Sequence, residues 1–126
     1  MRQEQKGRPW IAGNLLEGLP EGSLPEEWTD ILLEAQGVRV ERIVSAGHCS
    51  PEGFWYEPVV NEWVMVLQGE GELGFDDGSR LRLVPGAHCF LPAGCRHRVE
   101  STSLTPPCVW LAVFWDARPG ADVSGS

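Results

Sequence analysis

Glu62 and His97 are the side chains of this chain best placed for ligand chemistry. Glu62 opens the run Glu62-Trp-Val-Met-Val-Leu-Gln-Gly69, and Val64 and Val66 share its strand face because strand side chains alternate. If that face lines an interior, the carboxyl group points into an apolar cavity. It is costly there unless it is paired, hydrogen-bonded or metal-bound. His97 follows a Pro92-Ala-Gly94 corner between two β-runs. A proline with no N–H and a glycine free to take φ > 0 make that reversal sharp, so His97 enters the next strand in a defined direction. Carboxylate and imidazole together suit a first-row divalent metal. The plainer alternative is a hydrogen bond between the two side chains.

The elements that must position them are strands. From Gly53 onward the chain is nearly all strand and turn. Phe54-Trp-Tyr56 reads as an aromatic strand, and Glu62 to Leu67 as a β-branched one. Gly71-Glu-Leu-Gly-Phe and Ser79-Arg-Leu-Arg-Leu pair around Asp76-Asp77-Gly78, a hairpin tip whose carboxylates are solvated. Pro85-Gly86 turns the chain into His88-Cys-Phe-Leu, and Cys108-Val-Trp-Leu-Ala-Val-Phe-Trp is the last strand. Val38-Arg-Val-Glu-Arg-Ile-Val alternates as a strand does, while Glu27-Trp-Thr-Asp-Ile-Leu-Leu-Glu reads as a short helix or, preferably, the other arm of a hairpin turned at Gly37. Many short strands with turn signals every 8–12 residues predict an antiparallel sandwich or barrel. Residues 1–37 form an N-terminal arm and first strand packing on the barrel, 38–116 the barrel, and 117–126 a disordered tail.

At 126 residues the chain is one domain. Its net charge of −8, from 18 acidic and 10 basic residues, repels phosphate backbones, so nucleic-acid binding is not expected. No apolar run approaches the ~18 residues that span a bilayer, so no membrane partner is expected and the expected location is cytoplasmic. Cys49, Cys89, Cys95 and Cys108 form no C-x-x-C pair and are expected to be reduced packing residues. Arg96 and Arg98 bracket His97 and point away from it by alternation, and His48 is expected in a loop or at a rim.

The segment Gly86-x5-Pro92-x-Gly94-x2-His97 resembles the second motif of the cupin superfamily at every fixed position up to the histidine; the family's closing Asn is Ser101 here. Glu62-x6-Gly69 is similar to the end of the first cupin motif, but its His-x-His pair is absent. Those two positions fall on Trp55 and Glu57, or on Tyr56 and Pro58 with one residue less between them and Glu62. The leading Gly falls on Cys49 or Ser50. The resemblance implies an all-β double-stranded β-helix, or jelly roll, with a short N-terminal arm and a ligand site at the barrel mouth. It also implies a divalent metal (Zn, Fe, Mn or Ni) held by Glu62 and His97.

A catalytic metal needs about three protein ligands. The positions of the missing histidines offer Glu57 or Tyr56, on opposite faces, so one of them points inward; Tyr56 is slightly preferred. Trp55 shares Glu57's face and would wall the pocket together with Val64. Phe90 and His88 share a face that lies inside or outside the barrel, and they are counted with Trp55 and Val64 as the expected ligand-binding residues. The expected function is therefore a small cupin-barrel protein binding a divalent metal and a small organic ligand, as a metal-dependent oxygenase or isomerase. The alternative is a non-catalytic, metal-free small-molecule-binding barrel. A homodimer is expected, with the arm before residue 38 as its swapping element.

Overall fold

A computed structural model describes residue 7 and residues 9–117, and the tail expected to be disordered lies outside them except for Ala117. Every regular element among these residues is a strand: β1 (Trp28–Ala35), β2 (Val38–Ser45), β3 (Val60–Gln68), β4 (Gly71–Phe75), β5 (Arg80–Leu83), β6 (His88–Leu91), β7 (His97–Thr102) and β8 (Cys108–Asp116). No helix of the described residues is long and apolar enough to cross a membrane. The strands form a five-stranded sheet, β1-β2-β8-β3-β6, and a three-stranded sheet, β5-β4-β7, with antiparallel pairing throughout. This is the expected jelly roll.

Register decides which side chains meet inside. Glu62, Val64 and Val66 of β3 lie opposite Phe114, Ala112 and Trp110 of β8, and directly paired residues share a face. Val64, Val66, Leu73, Leu83, Leu91, Trp110 and Ala112 from both sheets make one buried core. Trp110 lies over Gly71 so closely that a Cβ there would stand 2.4 Å from two ring carbons. The indole is itself held, its Nε1 donating to Ser45 Oγ at 3.1 Å. Gly71→Ala therefore overpacks a ring that has little freedom to move, and is expected to cost about 2 kcal/mol in urea denaturation.

β1 and β2 form the preferred hairpin, turning at Gly37 with φ 76°. The segment before β1 is fastened to the outer face of this hairpin. Arg42 donates to the carbonyl oxygens of Leu15 (3.0 Å) and Glu17 (2.7 Å) and, through two nitrogens, to Asp30. His48 accepts from Ala46 N at 2.9 Å, and its other nitrogen lies 3.1 Å from the Leu24 carbonyl. That carbonyl can only accept, so Nε2 carries the proton. His48 thus ties the arm down.

One expected strand is absent. Phe54-Trp-Tyr56 is a loop in which Tyr56 alone makes a bridge, exchanging backbone hydrogen bonds with His97 at 2.8 and 3.2 Å. Gly53, in the left-handed region at φ 80°, and Pro58, which has no N–H and restricts Glu57, bracket the segment and stop the ladder from extending.

Candidate functional site

Between the two sheets, at the β3–β7 end, lies a pocket of about 370 Å³. Its walls are apolar, with Ile43, Val64, Leu73, Leu91, Trp110 and Phe114 among them. Its polar side chains are few: Glu27, Thr29, Glu41, Tyr56, Glu62 and His97, with Glu57 at the rim. A few convergent polar groups in an apolar concavity are the usual anatomy of a small-molecule site. A larger depression of about 740 Å³ between the arm and β1 has Arg42 and Asp30 as its charged lining, and these two satisfy each other.

Glu62 and His97 do come together, with Oε1 and Nε2 3.9 Å apart. His97 is only 6% exposed. Its Nδ1 lies 2.9 Å from the Cys95 carbonyl, which can only accept, so Nδ1 carries the proton and Nε2 faces Glu62 as an acceptor. The rigid Pro92–Gly94 corner supplies that carbonyl, and so sets the tautomer as well as the direction of the ring. Burial pushes the His97 pKa down, only partly opposed by the bond to Cys95. Burial, and then the like charge of Glu41, raises Glu62 to about 7. Both shifts favour the uncharged pair, so the contact is an acid facing a base and not an ion pair.

Tyr56 takes the inward position. Its ring stacks on His97 with centroids 5.3 Å apart and planes at 22°, and Phe54 packs edge-on against it at 4.8 Å. Burial, then Glu27, then Glu62, raise its pKa, so the phenol remains a donor. Glu57 turns the other way at the rim, 65% exposed and paired with Arg96 at 2.8 Å.

Three side chains expected at the ligand lie elsewhere. Trp55 is on the outer surface, with the Arg96 and Arg98 guanidinium groups 5.5 and 6.0 Å from its ring centre. Phe90 stacks on Trp115 at 5.7 Å, and His88 packs on Trp63 at 5.6 Å. Pairing of β6 with β3 sets this arrangement. Leu91 lies opposite Glu62 and Cys89 opposite Val64, so those two face inward while Phe90 and His88 face out. Val64 lines the pocket as expected.

Among the pocket residues that escaped the sequence reading are two carboxylates. Glu41 alternates with valines in β2 and looks like a wet-face residue, yet it lies opposite Ala112 of β8, which is fully buried. It enters the pocket tied to Arg39, which also lies 4.9 Å from the centre of the Phe114 ring. Glu27 comes from the end of the arm and accepts from Ser45 Oγ at 2.6 Å. No local pattern marks a residue in an irregular segment as a pocket wall. All four cysteines are free, and burial raises the Cys89 and Cys95 thiols, so they remain protonated beside the corner.

The donor set does not fit a divalent metal. Among the described residues no three His, Cys, Asp or Glu side chains converge as ligands. Glu62 and His97 supply two; the third candidate, Tyr56, keeps its phenol proton, Glu41 is engaged by Arg39 and Glu27 by Ser45.

The sequence profile of the cupin domain matches residues 43–114. This protein belongs to the cupin superfamily. Among solved structures it is similar to a protein of Ralstonia eutropha JMP134 provisionally called a mannose-6-phosphate isomerase. The two are 43% identical, with 84% of this chain and 98% of that one covered and a TM-score of 0.80. A cupin superfamily protein of Desulfitobacterium hafniense DCB-2 shares the fold at 19% identity, with 91% and 100% covered and a TM-score of 0.68. KdgF from Halomonas sp. does so at 17% identity, with 78% and 87% covered and a TM-score of 0.62. No curated protein matches the sequence.

Proposed function

We propose that this cupin binds a small organic molecule in the barrel pocket without a metal, and that Glu62 and His97 exchange a proton with it. The observation that carries the reading is a carboxyl group with a pKa of about 7 facing the free Nε2 of a neutral imidazole at 3.9 Å. At neutral pH such a carboxyl group is populated in both forms, the condition for general acid–base work. Glu62 gives a proton from its acid form and His97 Nε2 takes one. A ligand spanning the pair gains a proton at one atom from Glu62 and loses one at another atom to His97 Nε2, leaving a carboxylate and an imidazolium that exchange back on the return step. Tyr56, stacked on His97, contributes a hydroxyl donor and narrows the mouth.

Of the two chemistries expected, isomerisation is the one this pair supports, since a proton shift needs only an acid and a base. Oxygen activation calls for a metal centre that these side chains do not assemble. The name of the Ralstonia protein points the same way, but a sugar phosphate does not suit this pocket. Its phosphate would meet Glu27, Glu41 and Glu62, and no Lys or Arg among the described residues lines the walls.

Metal analysis of untagged protein by inductively coupled plasma mass spectrometry tests the reading. The expected result is well under one equivalent of Zn, Fe, Mn or Ni, and a melting temperature unchanged by chelator. Near-stoichiometric metal that is lost in both Glu62→Gln and His97→Ala would overturn it in favour of the metal-dependent enzyme. A homodimer remains part of the proposal. It is supported by the exposed apolar side chains of β1, Ile31 and Leu33 at 53% and 56%, and sedimentation velocity reads it directly.

A further inference from the structure

The pocket's hydrogen-bonding inventory is lopsided. Glu27, Glu41 and Glu62 present carboxyl oxygens, and His97, nine-tenths buried, turns an Nε2 toward them that makes no hydrogen bond among the described residues. Against these acceptors stand, among the described residues, the side-chain hydroxyls of Tyr56 and Thr29 and whatever proton Glu62 carries. The nearest cations are already engaged, Arg39 by Glu41 and Arg96 by Glu57. Arg39 meets Glu41 and Ser45 Oγ meets Glu27, so the acceptors left unmet are Glu62 and His97 Nε2; with no uncommitted cation lining the cavity among the described residues, their donors are left to the ligand.

We propose that the ligand is an organic cation, a primary or secondary amine carried on an aromatic or branched hydrocarbon body. This rests on the pocket being the binding site. An ammonium group has donors and no acceptor, which is the complement of Glu62 and His97 Nε2. The hydrocarbon body packs against Ile43, Val64 and Leu91 beside the rings of Trp110 and Phe114. A carboxylate or phosphate ligand brings only acceptors and negative charge. A neutral alcohol brings one donor and leaves one of these two acceptors unmet.

Three shape-matched probes separate these cases: 2-phenylethylamine, 2-phenylethanol and phenylacetate, titrated into the full chain by isothermal calorimetry. The expected order is amine tighter than alcohol by about tenfold or more, with no detectable carboxylate binding. Glu62→Gln is expected to weaken the amine by about tenfold and the alcohol by clearly less. Amine binding near pH 7 should also release protons, seen as a dependence of the heat on buffer ionisation enthalpy, because a cation beside Glu62 favours its ionised form. Alcohol binding equal to or tighter than the amine, or any binding of phenylacetate, overturns the cation assignment while the pocket reading stands. No binding by any of the three, with the fold intact by circular dichroism, overturns the pocket reading and the cation assignment together.

Discussion

Between about pH 5 and pH 8 the protein is expected to lose about 3 kcal/mol of stability through a single carboxyl group, and Glu62→Gln to remove that loss. The carboxyl pKa rises from 4.5 to about 7 on folding, and each unit is worth ~1.4 kcal/mol. Below 4.5 both states hold the proton and the group contributes nothing. As pH rises through 4.5 the unfolded chain releases its proton while the folded one keeps it, so the folded state binds more protons and stability falls. The loss is complete once pH exceeds the folded value near 7. His97 works in the opposite direction. Its pKa is lowered from 6.5 on folding, so its contribution is full above 6.5 and is lost as pH falls, because the unfolded chain then takes a proton that the buried ring refuses. The two together give a stability maximum on the weakly acidic side of neutral. Urea denaturation of wild type, Glu62→Gln and His97→Ala at several pH values resolves them. Glu62→Gln should flatten the alkaline limb and His97→Ala the acid limb. A wild-type alkaline limb that persists in Glu62→Gln would show that the carboxyl is not held protonated by its burial.

Arg42→Met is expected to cost about 3 kcal/mol, although the residue touches no ligand. Arg42 is 3% exposed and serves three partners at once: the carbonyls of Leu15 and Glu17, and Asp30 through two hydrogen bonds. Methionine replaces the hydrocarbon stem but leaves both carbonyls and the carboxylate without their donor. The full cost of breaking a buried pair does not apply, since the Asp30 side chain is 37% exposed and water can solvate it. The consequence reaches the pocket, because Glu27 and Thr29, which line it, follow the segment that Arg42 fastens. Hydrogen exchange of residues 14–17 should accelerate in the variant, and affinity for any pocket ligand should fall with it. Arg82→Met is the control: this arginine is 67% exposed, its partner Glu70 41%, and the change is expected to alter stability by less than about 1 kcal/mol. Equal effects of the two substitutions would refute the anchoring role.

The motif residues were legible because their geometry is local. Pro92, Gly94 and His97 lie within six residues, and a proline–glycine corner constrains the backbone wherever it stands in a fold. Glu62 was legible through alternation with Val64 and Val66, which needs only strand periodicity. Phe54–Tyr56 was misread because aromatic composition favours strands, while Pro58 and Gly53 deny the segment a ladder. Glu41 was passed over because alternation shows that a strand has two faces without showing which one is inside.

From its residues alone, then, this protein is a β-barrel of the cupin kind, with Glu62 and a sharply delivered His97 as its polar pair and no His-x-His motif beside them. What only the tertiary structure decided is how distant strands register. Pairing of β6 with β3 turned Leu91 inward and sent His88 and Phe90 out. Pairing of β2 with β8 brought Glu41 to the pocket, and the arm brought Glu27. The physical reason is the two-residue period of a strand. A single step of register exchanges every inward side chain for an outward one, and that step is set by contacts between segments tens of residues apart.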